Sequence, residues 1–122
     1  MRHRIWIISN QHWPRAFLRA ELMERGYEVD SFEGMPQALS ALEDCRTGRP
    51  DLILLELIGQ PAGPVNLKRL EEDRIPVVAM GGGMEIQDRM WQEFPWAGVL
   101  ARPYSIEDAC NLCRELLYPE SG

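Results

Sequence analysis

Residues Ile5-Trp6-Ile7-Ile8 are apolar at every position, so a strand here must be covered on both faces. That pattern is expected in the middle of a parallel sheet with helices packed on either side. Residues 51–57, 77–80 and 97–101 supply three further strands. Residues 27–32 alternate instead, with Tyr27 and Val29 opposed to Glu28 and Asp30, as on a half-buried edge strand.

Amphipathic segments separate these runs. Pro14 suits a first helical turn, Phe17, Leu18 and Leu22 mark the buried stripe, and Gly26 fits the stop. A second helix follows Gly34 with Ala38, Leu39 and Leu42 on one face, and Gly48 and Pro50 end it. Gly59-Gln60-Pro61-Ala62-Gly63-Pro64 is a loop by composition, followed by a short helix over 65–73. A helix over about 85–94 places Ile86, Met90 and Phe94 on one stripe. Ser105 and Asp108 have capping-box spacing, each able to bond the other's free backbone N–H. The helix they open buries Ala109, Leu112, Cys113 and Leu116 and runs to about Leu117.

Five strands alternating with five helices in 122 residues imply a single doubly wound α/β domain with a parallel sheet. It is expected to occupy residues 1–118, with 119–122 as a tail and no room for an output domain. Hydrophobic residues make up 45% of the chain, enough for a core and too many for disorder. No apolar stretch approaches the ~20 residues that span a bilayer. The run after Arg4 is too short for a signal-peptide core, so a cytoplasmic location with no membrane partner is expected. The net charge of −6 comes without a basic stripe, which argues against a nucleic-acid partner.

In a doubly wound sheet, ligands meet the carboxyl ends of the strands where strand order reverses. Ser9, Asn10, Glu56, Gly81 and Arg102 all fall at or just after strand ends and should crowd one edge of the sheet.

Four segments at these positions carry a family resemblance: Gly26-Tyr27-Glu28-Val29-Asp30, Arg49-Pro50-Asp51-Leu52-Ile53-Leu54-Leu55, Ile75-Pro76-Val77-Val78 and Arg102-Pro103-Tyr104-Ser105. In this order and spacing the chain resembles the receiver domain of bacterial response regulators over almost its whole length. The resemblance implies a flavodoxin-like (βα)5 fold with strand order 2-1-3-4-5 and a role in two-component, phosphorelay signalling. It also implies a phosphorylation site: two acidic residues that bind Mg²⁺, an acceptor Asp, a Ser or Thr, and a Lys.

Every one of those positions differs here. The acidic pair falls on Ser9 and Asn10, the acceptor on Glu56, the hydroxyl on Gly81, the lysine on Arg102, and an aromatic switch on Val99. Magnesium wants octahedral oxygen ligands, usually with one or two carboxylates and several waters. Glu56 between neutral neighbours is a thin site, and its extra methylene displaces the nucleophilic oxygen; about 1 Å of misplacement can cost on the order of 100-fold in rate. The expectation is an atypical receiver without magnesium or other cofactor, not an enzyme, and not phosphorylated in the usual way. Two readings of Glu56 stay open: it pairs with Arg102, whose guanidinium can hold a carboxylate in a two-pronged contact, or it stands partly solvated at the strand end with no preferred partner.

The expected output is binding: to a histidine kinase, an output protein or a second receiver, or as a homodimer. The resemblance points to the face made by the fourth helix, fifth strand and fifth helix, with Trp91, Trp96 and Tyr104 as candidate anchors. The open alternative is a small-ligand or anion-sensing domain, or a small enzyme, using the pocket at the strand ends. Cys110-Asn111-Leu112-Cys113 sits well inside a helix, where it reads as a buried edge better than a redox or metal site; Cys45 makes the total odd. Gly81-Gly82-Gly83 lacks the Lys-Ser/Thr ending of a phosphate loop and reads as a linker. The loop Ser9-Asn10-Gln11-His12-Trp13-Pro14 is too bulky for a flavin phosphate, and His12 in it has no catalytic partner.

Overall fold

The computed structural model describes residues 2–44, 48–59, 64–82 and 94–119. Within them the order is β1 (Arg4–Ile8), α1 (His12–Glu24), β2 (Glu28–Phe32), α2 (Met35–Asp44), β3 (Leu52–Glu56), α3 (Pro64–Glu72), β4 (Val77–Gly81), β5 (Gly98–Ala101) and α4 (Ile106–Leu117). The expected helix over 85–94 lies outside the described residues apart from Phe94, as do Trp91, Gly83 and Cys45.

All five strands are parallel, in the order β2-β1-β3-β4-β5. This is the expected doubly wound sheet. The chain leaves β1 for β2 on one side and returns to β3 on the other, so the strand order reverses between β1 and β3.

Because side chains alternate along a strand, the apolar runs divide between two core layers. Ile5, Ile7, Leu52, Leu54, Val78 and Met80 face a layer that also holds Leu18 and Leu22 of α1 and Ala109 and Cys113 of α4. Trp6, Ile8, Ile53, Leu55, Val77 and Ala79 face Met35 and Ala38 of α2 and Leu67 and Leu70 of α3. Removing one such aliphatic side chain from water contributes about 1.5–3 kcal/mol, and β1 and β3 make that gain on both faces.

The punctuation follows the sequence closely. Gly26 takes a φ of 96° after α1, a left-handed conformation that favours glycine. Ser105 Oγ accepts from the Asp108 N–H at 3.0 Å, and the Asp108 carboxylate accepts from the Ser105 N–H at 2.9 Å, completing the capping box of α4. One expectation is overturned on α1. Leu18 and Leu22, four residues apart, are buried, but Phe17 is 58% exposed. It stands about 100° around the helix from Leu18 and so off the buried stripe.

Candidate functional site

The same alternation that builds the core aims Glu56. Leu52, Leu54 and Glu56 share the face of β3 under α1 and α4, so the carboxylate turns inward and is only 3% exposed. A buried carboxylate needs compensation. Arg102, one residue beyond β5, supplies it: Nη2 donates to Glu56 Oε1 at 2.9 Å. The Arg102 backbone is fixed by its own N–H, which donates to the Gly81 carbonyl at 2.9 Å.

The contact is one-pronged, not the two-pronged fork of the paired reading. Nη2 is shared, since it also donates to Gln11 Oε1 at 3.2 Å in the loop after β1. The guanidinium thus ties the ends of β1, β3 and β5 together. The Tyr104 hydroxyl makes a long contact of 3.4 Å to the same Glu56 oxygen and lies 3.6 Å from Met80 Sδ. Burial, followed by the Glu56 charge, pushes the Tyr104 phenol up to about 12, so it stays a neutral donor.

The remaining positions are distributed less evenly. Ser9 is buried, its Oγ accepts from the Gln11 N–H at 3.1 Å, and its carbonyl accepts from Arg15 Nη1. Asn10 is exposed and lies over Gly59 in the turn after β3. Gly81 is buried at the end of β4, paired with Ala101. Val99 is 45% exposed on β5. Of the aromatic candidates, Trp96 is half-buried against Phe94, with ring centroids 4.6 Å apart, and packs on the core. Tyr104 turns into the site. The most exposed aromatics among the described residues are Trp13 and Phe17, stacked on α1, and Tyr118.

Residues the sequence reading did not assign to the site are Gln11, Met80 and, in this role, Tyr104. Gln11 lies two residues beyond Ser9 in the same loop, and that spacing was the available signal. Cys110 and Cys113 are buried, and desolvation raises both thiols, Cys113 to about 12, so neither is a ready thiolate.

The oxygen set at the strand ends is one carboxylate already facing a guanidinium, beside a serine hydroxyl already accepting a backbone N–H. A magnesium ion, usually held by one or two carboxylates and several waters, would have to share this single carboxylate with the Arg102 guanidinium. Among the described residues no three His, Cys, Asp or Glu side chains gather as a metal site.

No family model and no curated protein matches the sequence. Solved structures do match in shape. The receiver domain of NtrX from Brucella abortus superposes with a TM-score of 0.76 at 18% identity, over 95% of this chain and 99% of that one. The chemotaxis response regulator CheY4 of Vibrio cholerae gives 0.78 at 15% identity, over 95% and 99%. The signal receiver domain of an HD domain-containing protein from Pseudomonas fluorescens gives 0.79 at 18% identity, over 98% and 97%. The class defined by the fold is therefore plain: this chain has the flavodoxin-like receiver fold, with strand order 2-1-3-4-5. Among the described residues no helix is long and apolar enough to cross a membrane.

Proposed function

We propose that the chain is an atypical receiver module of two-component signalling, in which the Glu56–Arg102 pair holds the acceptor position in one state. The observation that carries this reading is the 2.9 Å contact from Arg102 Nη2 to a carboxylate that is 3% exposed. A phosphoryl group on an acceptor would present anionic oxygens to a cation at the end of β5; here a fixed carboxylate already meets that cation. Magnesium has no part in this reading, because its ligand positions are Ser9 and Asn10 and its remaining carboxylate is committed to arginine.

The output on this reading is binding to another signalling protein, a kinase, an output protein or a second receiver, or to another copy of the chain. Solved relatives in shape include receiver domains of larger proteins, which supports a role as a regulatory module. The test is incubation with acetyl phosphate and Mg²⁺ followed by intact mass. The mass should remain that of the unmodified chain. A stable phosphoryl adduct that maps to Glu56 overturns the proposal.

A further inference from the structure

Beyond the Glu56–Arg102 contact, a cavity of about 520 Å³ opens between α1 and α4 on the carboxyl side of the sheet. Its deepest residues are Ile7, Leu18, Glu56, Met80 and Ala109, all buried. Its rim is Pro14, Phe17, Pro103 and Ile106, with Phe17 58% and Ile106 39% exposed. A volume within about 300–1,000 Å³, apolar walls and a few convergent polar groups are the attributes of a small-molecule site.

The charged groups lining it are Arg15, Glu56 and Arg102, so two guanidiniums against one carboxylate leave a single positive charge. Both arginines are anchored on the segment after β1, Arg15 through Nη1 on the Ser9 carbonyl and Arg102 through Nη2 on Gln11. The guanidinium bonds to Gln11 and Glu56 both pass through Nη2. The remaining donors of Arg15 are not used in its bond to Ser9, the Arg102 guanidinium also faces the Tyr104 hydroxyl, and both forks stand at an apolar cavity.

We infer that this cavity binds a small amphipathic monoanion, its apolar body between Phe17, Leu18 and Ile106 and its carboxylate or sulfonate head on Arg15 and Arg102. A neutral apolar molecule would leave the positive charge unmatched. A dianion would meet the buried Glu56 carboxylate. This site does not depend on whether Glu56 accepts phosphate, so the phosphodonor experiment and the one below can fail separately.

The probe is anilinonaphthalene sulfonate, titrated into the full chain by fluorescence, with N-phenylnaphthylamine as the same body without the anion. Saturable binding of one dye per chain is expected, with the uncharged analogue about tenfold weaker. Arg15→Gln and Ile106→Asp should each weaken the sulfonate several-fold. Asp at the first position of α4 favours the helix, so that variant should fold. Met23→Ala, at the far end of α1, 47% exposed and not lining the cavity, should leave binding unchanged. Absence of saturable binding, equal affinity for the neutral analogue, or a loss in Met23→Ala as large as in Ile106→Asp overturns the proposal.

Discussion

Arg102 Nη2 lies 2.9 Å from Glu56 Oε1, and the two partners differ sharply in exposure: the arginine side chain is 37% exposed and the glutamate side chain 4%. A pair of this kind is asymmetric in what its loss costs. Taking away the arginine leaves a carboxylate inside the fold without the cation beside it, whereas neutralising the glutamate leaves an arginine that water can still reach.

The first prediction follows from that asymmetry. Arg102→Ala should destabilise the domain by about 2 kcal/mol, less than the loss of a partner from a fully buried pair because Arg102 is half in water. Glu56→Gln keeps the shape and an acceptor oxygen for Nη2 and should cost only about 0–1 kcal/mol. Urea midpoints at neutral pH measure both. Equal costs, or a larger one for Glu56→Gln, would show that the contact does not compensate the buried charge.

On the proposed receiver reading, an aspartate at position 56 should not by itself confer phosphorylation. Glu56→Asp shortens the side chain, but the positions for the acidic pair remain Ser9, with its hydroxyl already bonded to the Gln11 N–H, and the exposed Asn10. Without those carboxylates nothing draws in the cation that shields an attacking carboxylate from phosphate. Treated with acetyl phosphate and Mg²⁺, Glu56→Asp should gain no stable phosphoryl mass; an adduct at position 56 would show that the acidic pair is dispensable here.

These contrasts mark how far the sequence could be read. Leu52-Ile53-Leu54-Leu55 announces a central strand because burial on both faces leaves no polar position, and the same run fixes Glu56 at the strand end. Which way Glu56 turns also follows from parity with Leu52 and Leu54. Tyr104 was harder: it stands in a loop with no period, so nothing in the letters tells a ring that turns inward from one that anchors a partner. Phe17 misled for a related reason, since an aromatic beside Leu18 looks like core until helical spacing is applied strictly from Leu18 to Leu22. The sharing of Nη2 between Glu56 and Gln11 depends on loop geometry across 91 residues and leaves no local signature.

Alkaline pH should weaken the fold through groups near and behind the site. Burial raises the Tyr104 phenol from 10.0 to about 12 and the Cys113 thiol from 9.0 to about 12. The folded state therefore keeps these protons after the unfolded chain has begun to lose them. The stability they represent is fully present below pH 9.0, declines above it, and is lost as pH rises through about 12. Urea midpoints recorded against pH should fall across this window, with a shallower fall above pH 10.0 in Tyr104→Phe. Identical slopes would mean that the phenol is not held neutral by the fold.

The turn after β3 makes a prediction that separates two physical causes. Gly59 has a φ of 75°, and a Cβ built on it would meet Asn10 Nδ2 at 2.0 Å. Gly59→Ala should therefore incur both the left-handed backbone penalty, about 1 kcal/mol, and the displacement of the Asn10 amide. In an Asn10→Ala background the second cause is gone and only the backbone penalty should remain. A double-mutant cycle on urea midpoints should give a coupling of about 0.5–1 kcal/mol, with Asn10→Ala partly rescuing Gly59→Ala. Zero coupling would mean that the Asn10 side chain swings aside freely, and the contact between the first and third strand ends would then hold neither loop in place.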